Sequence, residues 1–146
     1  MNNKLSQTTV SIIKNSAQLI TKNDIKISMK MYELLFLKYA ELQKLFAHKS
    51  TDQYMRLAEA LSAYAINIDM IERLRPALLV IAQTHADANV KPIHYPMVGM
   101  ALIEAIESVL GDRATLEFID AWREAYRFVA NILIEMQQEI NKSQEL

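Results

Sequence analysis

Cysteine, glycine and proline are scarce in this sequence. None of its 146 residues is cysteine, which excludes disulfides, thiolate-bound zinc and cysteine nucleophiles. Only 2 glycines and 3 prolines are present, although sheet-rich folds draw on both residues for their frequent turns. Long helices joined by few connections are therefore predicted.

A charge of one sign and a long apolar run are also missing. The 16 basic and 17 acidic side chains give a formal net charge of −1, so no single-sign field would attract nucleic acid or an anionic membrane. Uncharged stretches fall short of the roughly 20 residues that cross a bilayer, and the N-terminus lacks the apolar core of a secretory signal. We expect a cytoplasmic protein with no nucleic-acid partner and no membrane span.

Helical periodicity is what the sequence does contain. Hydrophobic residues make up 51% of the chain, which is enough for a sizeable core in one domain. Apolar residues recur every three or four positions and predict helices at about 7–22, from 25 onward, at 40–46, from 50 onward, from 73 onward, at 96–110 and at 114–138. We expect one all-α domain over residues 1–146, with its core within 6–140 and a polar tail at 141–146.

Several local signals add detail to these helices. Ser6 is a predicted N-cap, Gly111 is a predicted C-terminal cap, and Ser50 with Gln53 matches a capping box. The buried stripe of the second helix is predicted to consist of Ile25, Met29, Tyr32 and Phe36.

Missing motifs narrow the chemistry further. The sequence has no Gly-rich phosphate loop and no His-Glu-x-x-His zinc motif. It has no Glu-x-x-His pair of the kind that builds di-iron bundles. With 3 histidines and no strained serine turn, a hydrolase triad has little support.

His85 is the residue on which a functional hypothesis can rest. It continues the apolar stripe of Leu74, Leu78 and Ile81 along its own helix. A histidine at such a position is more often partly buried and hydrogen-bonded, with no ligand. The alternative is a neutral imidazole that coordinates haem iron.

Three further residues each allow a structural and a functional interpretation. Tyr32 is usually a core residue whose hydroxyl finds one partner, Gln53 closes a capping box, and Phe46 belongs to the core. In the functional alternative, Tyr32 and Gln53 are polar groups above the iron, Leu57 faces the same side, and Phe46 contacts the cofactor. These assignments gain weight only as a set.

The set matches a known pattern. The most specific runs are Ile81-Ala82-Gln83-Thr84-His85, Val90-Lys91-Pro92 and His94-Tyr95-Pro96-Met97-Val98-Gly99, with Asn67-Ile68-Asp69 before them and Gly111-Asp112, Asp120-Ala121-Trp122 and Ala125-Tyr126 after them. With these runs, nearly the whole chain resembles the bacterial globin family that includes Vitreoscilla haemoglobin and the globin domain of flavohaemoglobins. The resemblance implies a globin fold of about seven helices around a pocket for haem b, iron protoporphyrin IX.

The resemblance also implies roles for individual residues. His85 would be the iron ligand, with Tyr95 beside it on the proximal side. On the opposite, distal side, Tyr32 and Gln53 would stabilise the bound gas and Leu57 would line the pocket. The remaining haem contacts implied are Phe46, which would stack on the porphyrin, Ile81, Val90, Val98 and Tyr126.

Two positions depart from the family pattern. Gln137 stands where the family has a glutamate that hydrogen-bonds the proximal histidine, and Arg127 stands where it has a glycine. Glu135 and Glu139 are each about 200° around the helix from Gln137 and should not substitute for it. A neutral amide makes a metal-bound imidazole less electron-donating than a carboxylate does, which favours reversible oxygen binding over oxidative turnover.

Three functions remain open at this point. The first is reversible binding of O2, and also of NO and CO, for storage, delivery or protection. The second is nitric oxide dioxygenase activity with a separate reductase, and the third is a haem-free helical interaction module. The sequence leaves open a homodimer and the sixth iron ligand, for which Tyr32, Gln53, water and His48 are candidates.

Overall fold

The computed structural model describes residues 4–46 and 52–144. Its six α-helices are α1 (Gln7–Asn15), α2 (Ala17–Lys38), α3 (Asp52–Ile66), α4 (Arg75–Asp87), α5 (His94–Leu110) and α6 (Leu116–Gln144). Three 3-10 helices cover Ala40–Phe46, Ile71–Leu74 and Gly111–Arg113. Within these residues there is no strand, so the predicted all-α class is confirmed.

The boundary between the first two helices differs from the prediction. Asn23 and Asp24 were expected to separate them, but both lie inside α2. The Asn23 side chain donates to the Leu19 carbonyl at 2.8 Å, and Asp24 accepts from the Ser62 hydroxyl at 2.8 Å. Both polar groups are thus satisfied without leaving the helix. The chain bends instead at Ser16 (φ −98°, ψ 3°), whose hydroxyl donates to the Ile13 carbonyl.

The predicted stripe of α2 is wrong in its first half. Ile25 and Met29 are 46% and 52% exposed, whereas Tyr32 is buried. The face that packs inward carries Ile20, Ile27, Ser28, Met31, Tyr32 and Leu35. Both faces have helical spacing, so periodicity alone could not select the buried one.

Two predicted helix caps are confirmed, whereas the predicted end of the last helix is wrong. Ser6 accepts a hydrogen bond from the Thr9 amide, and Gly111 ends α5 with φ +58°, as predicted. The helix predicted to end at about 138 runs to Gln144, although residues 141–144 are exposed. Ser50 lies outside the described residues.

The helices enclose a space at the centre of the fold. α2 packs against α3 and α5, while α4 and α6 pack against each other. The largest side chain with under 2% exposure is Trp122 of α6, which belongs to the same core cluster as Ile106 of α5 and Met31 of α2. Across residues 4–46 and 52–144, none of the helices has the length and apolarity needed to span a bilayer.

Gly99 marks a close approach of α5 and α6. A Cβ atom at this position would lie 2.6 Å from Cε2 of Tyr126. We therefore expect Gly99→Ala to destabilise the protein by about 1–3 kcal/mol through overpacking, as measured by denaturant unfolding. The cost should shrink when the ring is absent, in a Tyr126→Ala background. Equal costs in both backgrounds would reject the steric explanation.

Candidate functional site

A cavity of about 220 Å³ lies among the helices, with walls from α2 to α6. Among the described residues, its lining contains no charged side chain and consists mainly of Leu, Ile, Val, Ala and Met. The exceptions are Tyr32, Tyr64, His85, His94, Tyr95, Trp122 and Tyr126. A cavity of this composition suits a largely apolar ligand that a few polar groups orient.

Most residues predicted to bind a cofactor line this cavity. They are Tyr32 from α2, Leu57 from α3, Ile81 and His85 from α4, Val90 from the following loop, Tyr95 and Val98 from α5, and Tyr126 from α6. Gln53 is half-buried and does not line the cavity. The side chain of Phe46 and the whole of His48 lie outside the described residues.

The imidazole of His85 is neutral and oriented. It is partly buried on α4, and desolvation lowers its pKa to about 4. Its Nδ1 lies 2.9 Å from the hydroxyl oxygen of Tyr95. This contact leaves Nε2 as the ring nitrogen available to a ligand.

A chain of hydrogen bonds continues from Tyr95. Its hydroxyl donates to Oε1 of Gln137 at 2.8 Å, and Nε2 of Gln137 donates to the Val90 carbonyl. Gln137 is only 5% exposed, and burial raises the pKa of Tyr95 to about 12. The structure thus places Gln137 against Tyr95, whereas the family pattern had suggested a residue bonded to the histidine itself.

Tyr32 presents a second protonated group to the cavity. Desolvation raises its pKa to about 12, an effect partly offset by a side-chain hydrogen bond with Gln53. Its ring meets the Tyr54 ring edge-on at a centroid distance of 5.4 Å. The structure therefore brings the predicted pair Tyr32 and Gln53 together, although only Tyr32 reaches the cavity.

The other two tyrosines that line the cavity donate their hydroxyl protons to the backbone. Tyr64 donates to the Ala125 carbonyl and Tyr126 to the Tyr95 carbonyl, both at 2.6 Å. Burial raises the pKa of both phenols. Their donors are consequently not directed at a ligand in the cavity.

Two lining residues were missed as site candidates. His94 accepts a hydrogen bond from the Lys91 amide through Nδ1 at 2.9 Å, at the start of α5. Trp122 is 1% exposed, and its Nε1 has no hydrogen-bond partner within residues 4–46 and 52–144. Both positions stood in the family runs, but nothing local indicated that they face a cavity.

Comparisons with known proteins identify the family of this chain. A family model described as Globin matches residues 29–133. The chain belongs to the globin family. An uncharacterized globin-like protein of Aquifex aeolicus is 43% identical over 136 residues, which cover 93% of this chain and 96% of that protein.

Some relatives are longer than this chain and match it over only part of their length. The flavohemoprotein of Rhizobium meliloti is 39% identical over 144 residues, which cover 97% of this chain and 36% of that protein. The globin chain therefore spans about a third of the length of that relative.

Solved structures confirm the globin fold. RmaNOD from Rhodothermus marinus, an engineered carbene transferase and a proposed nitric oxide dioxygenase, gives a TM-score of 0.93 at 35% identity and covers 98% of this chain and 100% of its own. A bacterial globin from Campylobacter jejuni gives a TM-score of 0.86 at 28% identity, covering 94% of this chain and 99% of its own.

The unusual Arg127 of this globin does not enter the pocket. It is exposed at a groove between α5 and α6, and it lowers the pKa of Glu124 as the weakest of several causes, after hydrogen bonds from Ser6 and Thr9. The glycine that a close approach requires in this region is Gly99 on α5.

Proposed function

We propose that this globin binds haem b through Nε2 of His85 and uses the pocket to bind O2 reversibly, with NO and CO as further ligands. The observation that carries the proposal is the state of His85. A neutral imidazole lines a cavity to which residues 4–46 and 52–144 contribute no charged side chain, and its Nδ1 contacts the Tyr95 hydroxyl. This is the condition in which imidazole acts as a metal ligand.

The donor set suits haem better than a bare metal ion. A bare ion needs several protein ligands, and the described residues contain no group of three or more His, Cys, Asp or Glu side chains that could hold one. A porphyrin would bring nitrogen ligands of its own, so that His85 alone could hold its iron. When bound, haem supplies the iron position at which O2, NO and CO coordinate.

The remaining pocket residues would control access and retention. Leu57, Ile81 and Val98 line the cavity with aliphatic surface, which excludes water from the iron. Tyr32 keeps its proton because its pKa is raised to about 12, so it can donate a hydrogen bond to O2. A hydrogen bond of this kind slows ligand release.

Nitric oxide dioxygenase activity is the second candidate. It is favoured by the likeness to RmaNOD and to flavohemoproteins. In that reaction O2, NO and one electron combine to nitrate, so each turnover would need one electron from an outside donor. We propose a separate NADH-dependent reductase as that donor. Tyr95 and Gln137, which form the hydrogen-bonded chain behind His85, carry no charge. This chain therefore donates less electron density toward the iron than a carboxylate would, which favours the carrier function.

Mixing with NO separates the two functions. Reduced, oxygenated protein is mixed with excess NO and O2, with and without NADH and a flavin reductase, while NO is followed by electrode. We expect a single burst of about one NO per haem, with slow consumption afterwards even when the reductase is present. Sustained consumption that scales with reductase concentration would assign the protein as a dioxygenase.

A further inference from the structure

We infer that the groove between α5 and α6 is an interface at which two copies of this chain dock face to face. The groove has a volume of about 510 Å³, and its two walls are formed by residues within 92–107 and within 123–134. It opens to solvent on the side of the fold where Arg127 is exposed. Haem is not needed for this contact, which goes beyond the proposed function.

The floor of the groove is apolar. Ile103 of α5 and Ala130 of α6 are buried in it, and Ile134 is half-buried. Met100 also lines the groove, although 57% of its surface is exposed. An apolar surface that is bordered by polar residues is typical of a protein–protein contact. Methionine, tyrosine and arginine, which are enriched in such contacts, are all present in this lining.

The two rims of the groove carry opposite charges. The charged lining residues on α5 are Glu104 and Glu107, which we call the acidic rim. Those on α6 are Arg123 and Arg127, which we call the basic rim. A uniformly anionic or cationic ligand would be attracted by one rim and repelled by the other. The groove therefore suits a partner that itself carries both charges.

Each rim keeps a charge that is available to such a partner. Glu104 forms an ion pair with Lys38 of α2, and Arg123 forms one within α6. Across residues 4–46 and 52–144, neither Glu107 nor Arg127 takes part in an ion pair. Both are exposed. Arg127, which departs from the family pattern and has no part in the central cavity, thus gains a role in this contact.

A second copy of the same groove has the charges that these rims require. A two-fold axis that runs along the groove exchanges its two sides, so α5 of each copy faces α6 of the other. The acidic rim of each copy then meets the basic rim of its partner, twice in each dimer. A self-complementary patch of this kind is what a two-fold dimer needs. A two-fold axis across the groove would instead bring like charges together, which opposes binding.

Sedimentation equilibrium of the purified protein measures this association. We expect a reversible dimer whose dissociation constant rises with salt concentration, because the rims are exposed to solvent and their attraction is screened. A protein that stays monomeric at about 1 mM would overturn the inference, and the groove would then belong to a partner of different chemistry.

Reversing one rim at a time tests the pairing of the rims. Arg123→Glu with Arg127→Glu gives a variant with two acidic rims, and Glu104→Lys with Glu107→Lys gives a variant with two basic rims. Each variant alone should dimerise with a dissociation constant raised roughly tenfold or more, because like charges then face each other. An equal mixture of the two should restore the dimer, since every acidic rim can again meet a basic one.

Matched controls place the same charge changes outside the groove. Arg73→Glu with Arg75→Glu, and Glu59→Lys with Glu72→Lys, alter exposed residues that do not line it, and both should dimerise like the unmodified protein. Circular dichroism and thermal unfolding establish that each variant is folded. A dimer that neither rim variant weakens, or a mixture of folded rim variants that stays monomeric, would overturn the inference.

Discussion

Replacing His85 with alanine is expected to remove nearly all haem binding. The described residues lining the cavity include one other histidine, His94, and its Nδ1 already accepts from the Lys91 amide. Loss of the imidazole at 85 therefore leaves the iron without its proximal ligand. The measurement is the Soret absorbance of purified protein after incubation with haemin and desalting.

His94→Ala is the matched control, because it removes an imidazole from the same cavity lining. We expect it to retain haem with an unchanged spectrum. Retention of haem by His85→Ala with the spectrum of the unmodified protein would reject the assigned ligand. A colourless unmodified protein would instead support the haem-free interaction module.

Replacing Tyr32 with phenylalanine is expected to accelerate O2 dissociation by roughly ten- to hundredfold. The substitution removes a cavity-lining hydroxyl that stays protonated and lies beside Gln53. A hydrogen bond to a polarised acceptor contributes about 1.5–3 kcal/mol, which corresponds to that change in rate. Stopped-flow displacement of O2 by CO measures the dissociation rate directly.

Tyr64→Phe provides the comparison for this result. Tyr64 also lines the cavity and is 7% exposed, but its hydroxyl donates to the Ala125 carbonyl. Its loss should lower stability and leave O2 dissociation within a factor of about two, since a hydroxyl that donates to a backbone carbonyl is not available to the ligand. An O2 dissociation rate unaffected by Tyr32→Phe would rule out the donor role of Tyr32.

The pocket was more predictable than the helix boundaries. Leu78, Ile81 and His85 share one face of α4 because their spacing follows the helical period. Leu74, which directly precedes α4, lines the cavity together with them. When a helix has two apolar faces, the helical spacing of its apolar residues does not determine which face is buried. Hence Ile25 and Met29 were assigned to the core, although α2 turns them toward solvent.

Contacts between distant segments were not available from the sequence. Gln137 and Tyr95 are 42 residues apart, and their hydrogen bond depends on how α6 packs against α4 and α5. From the local sequence, Asp24 is expected to interrupt a helix, but a hydrogen bond from Ser62 on α3 stabilises it within α2. Such tertiary hydrogen bonds override local preferences because they satisfy a polar group that would otherwise favour a turn.

The position of Trp122 gives this protein a built-in optical reporter. It is the single tryptophan of the chain, and its indole lines the cavity proposed for haem. Since a porphyrin absorbs where indole emits, occupancy of the cavity should quench the emission by energy transfer. Titration of haem-free protein could then follow cofactor uptake through intrinsic fluorescence, without a label and independently of the iron oxidation state.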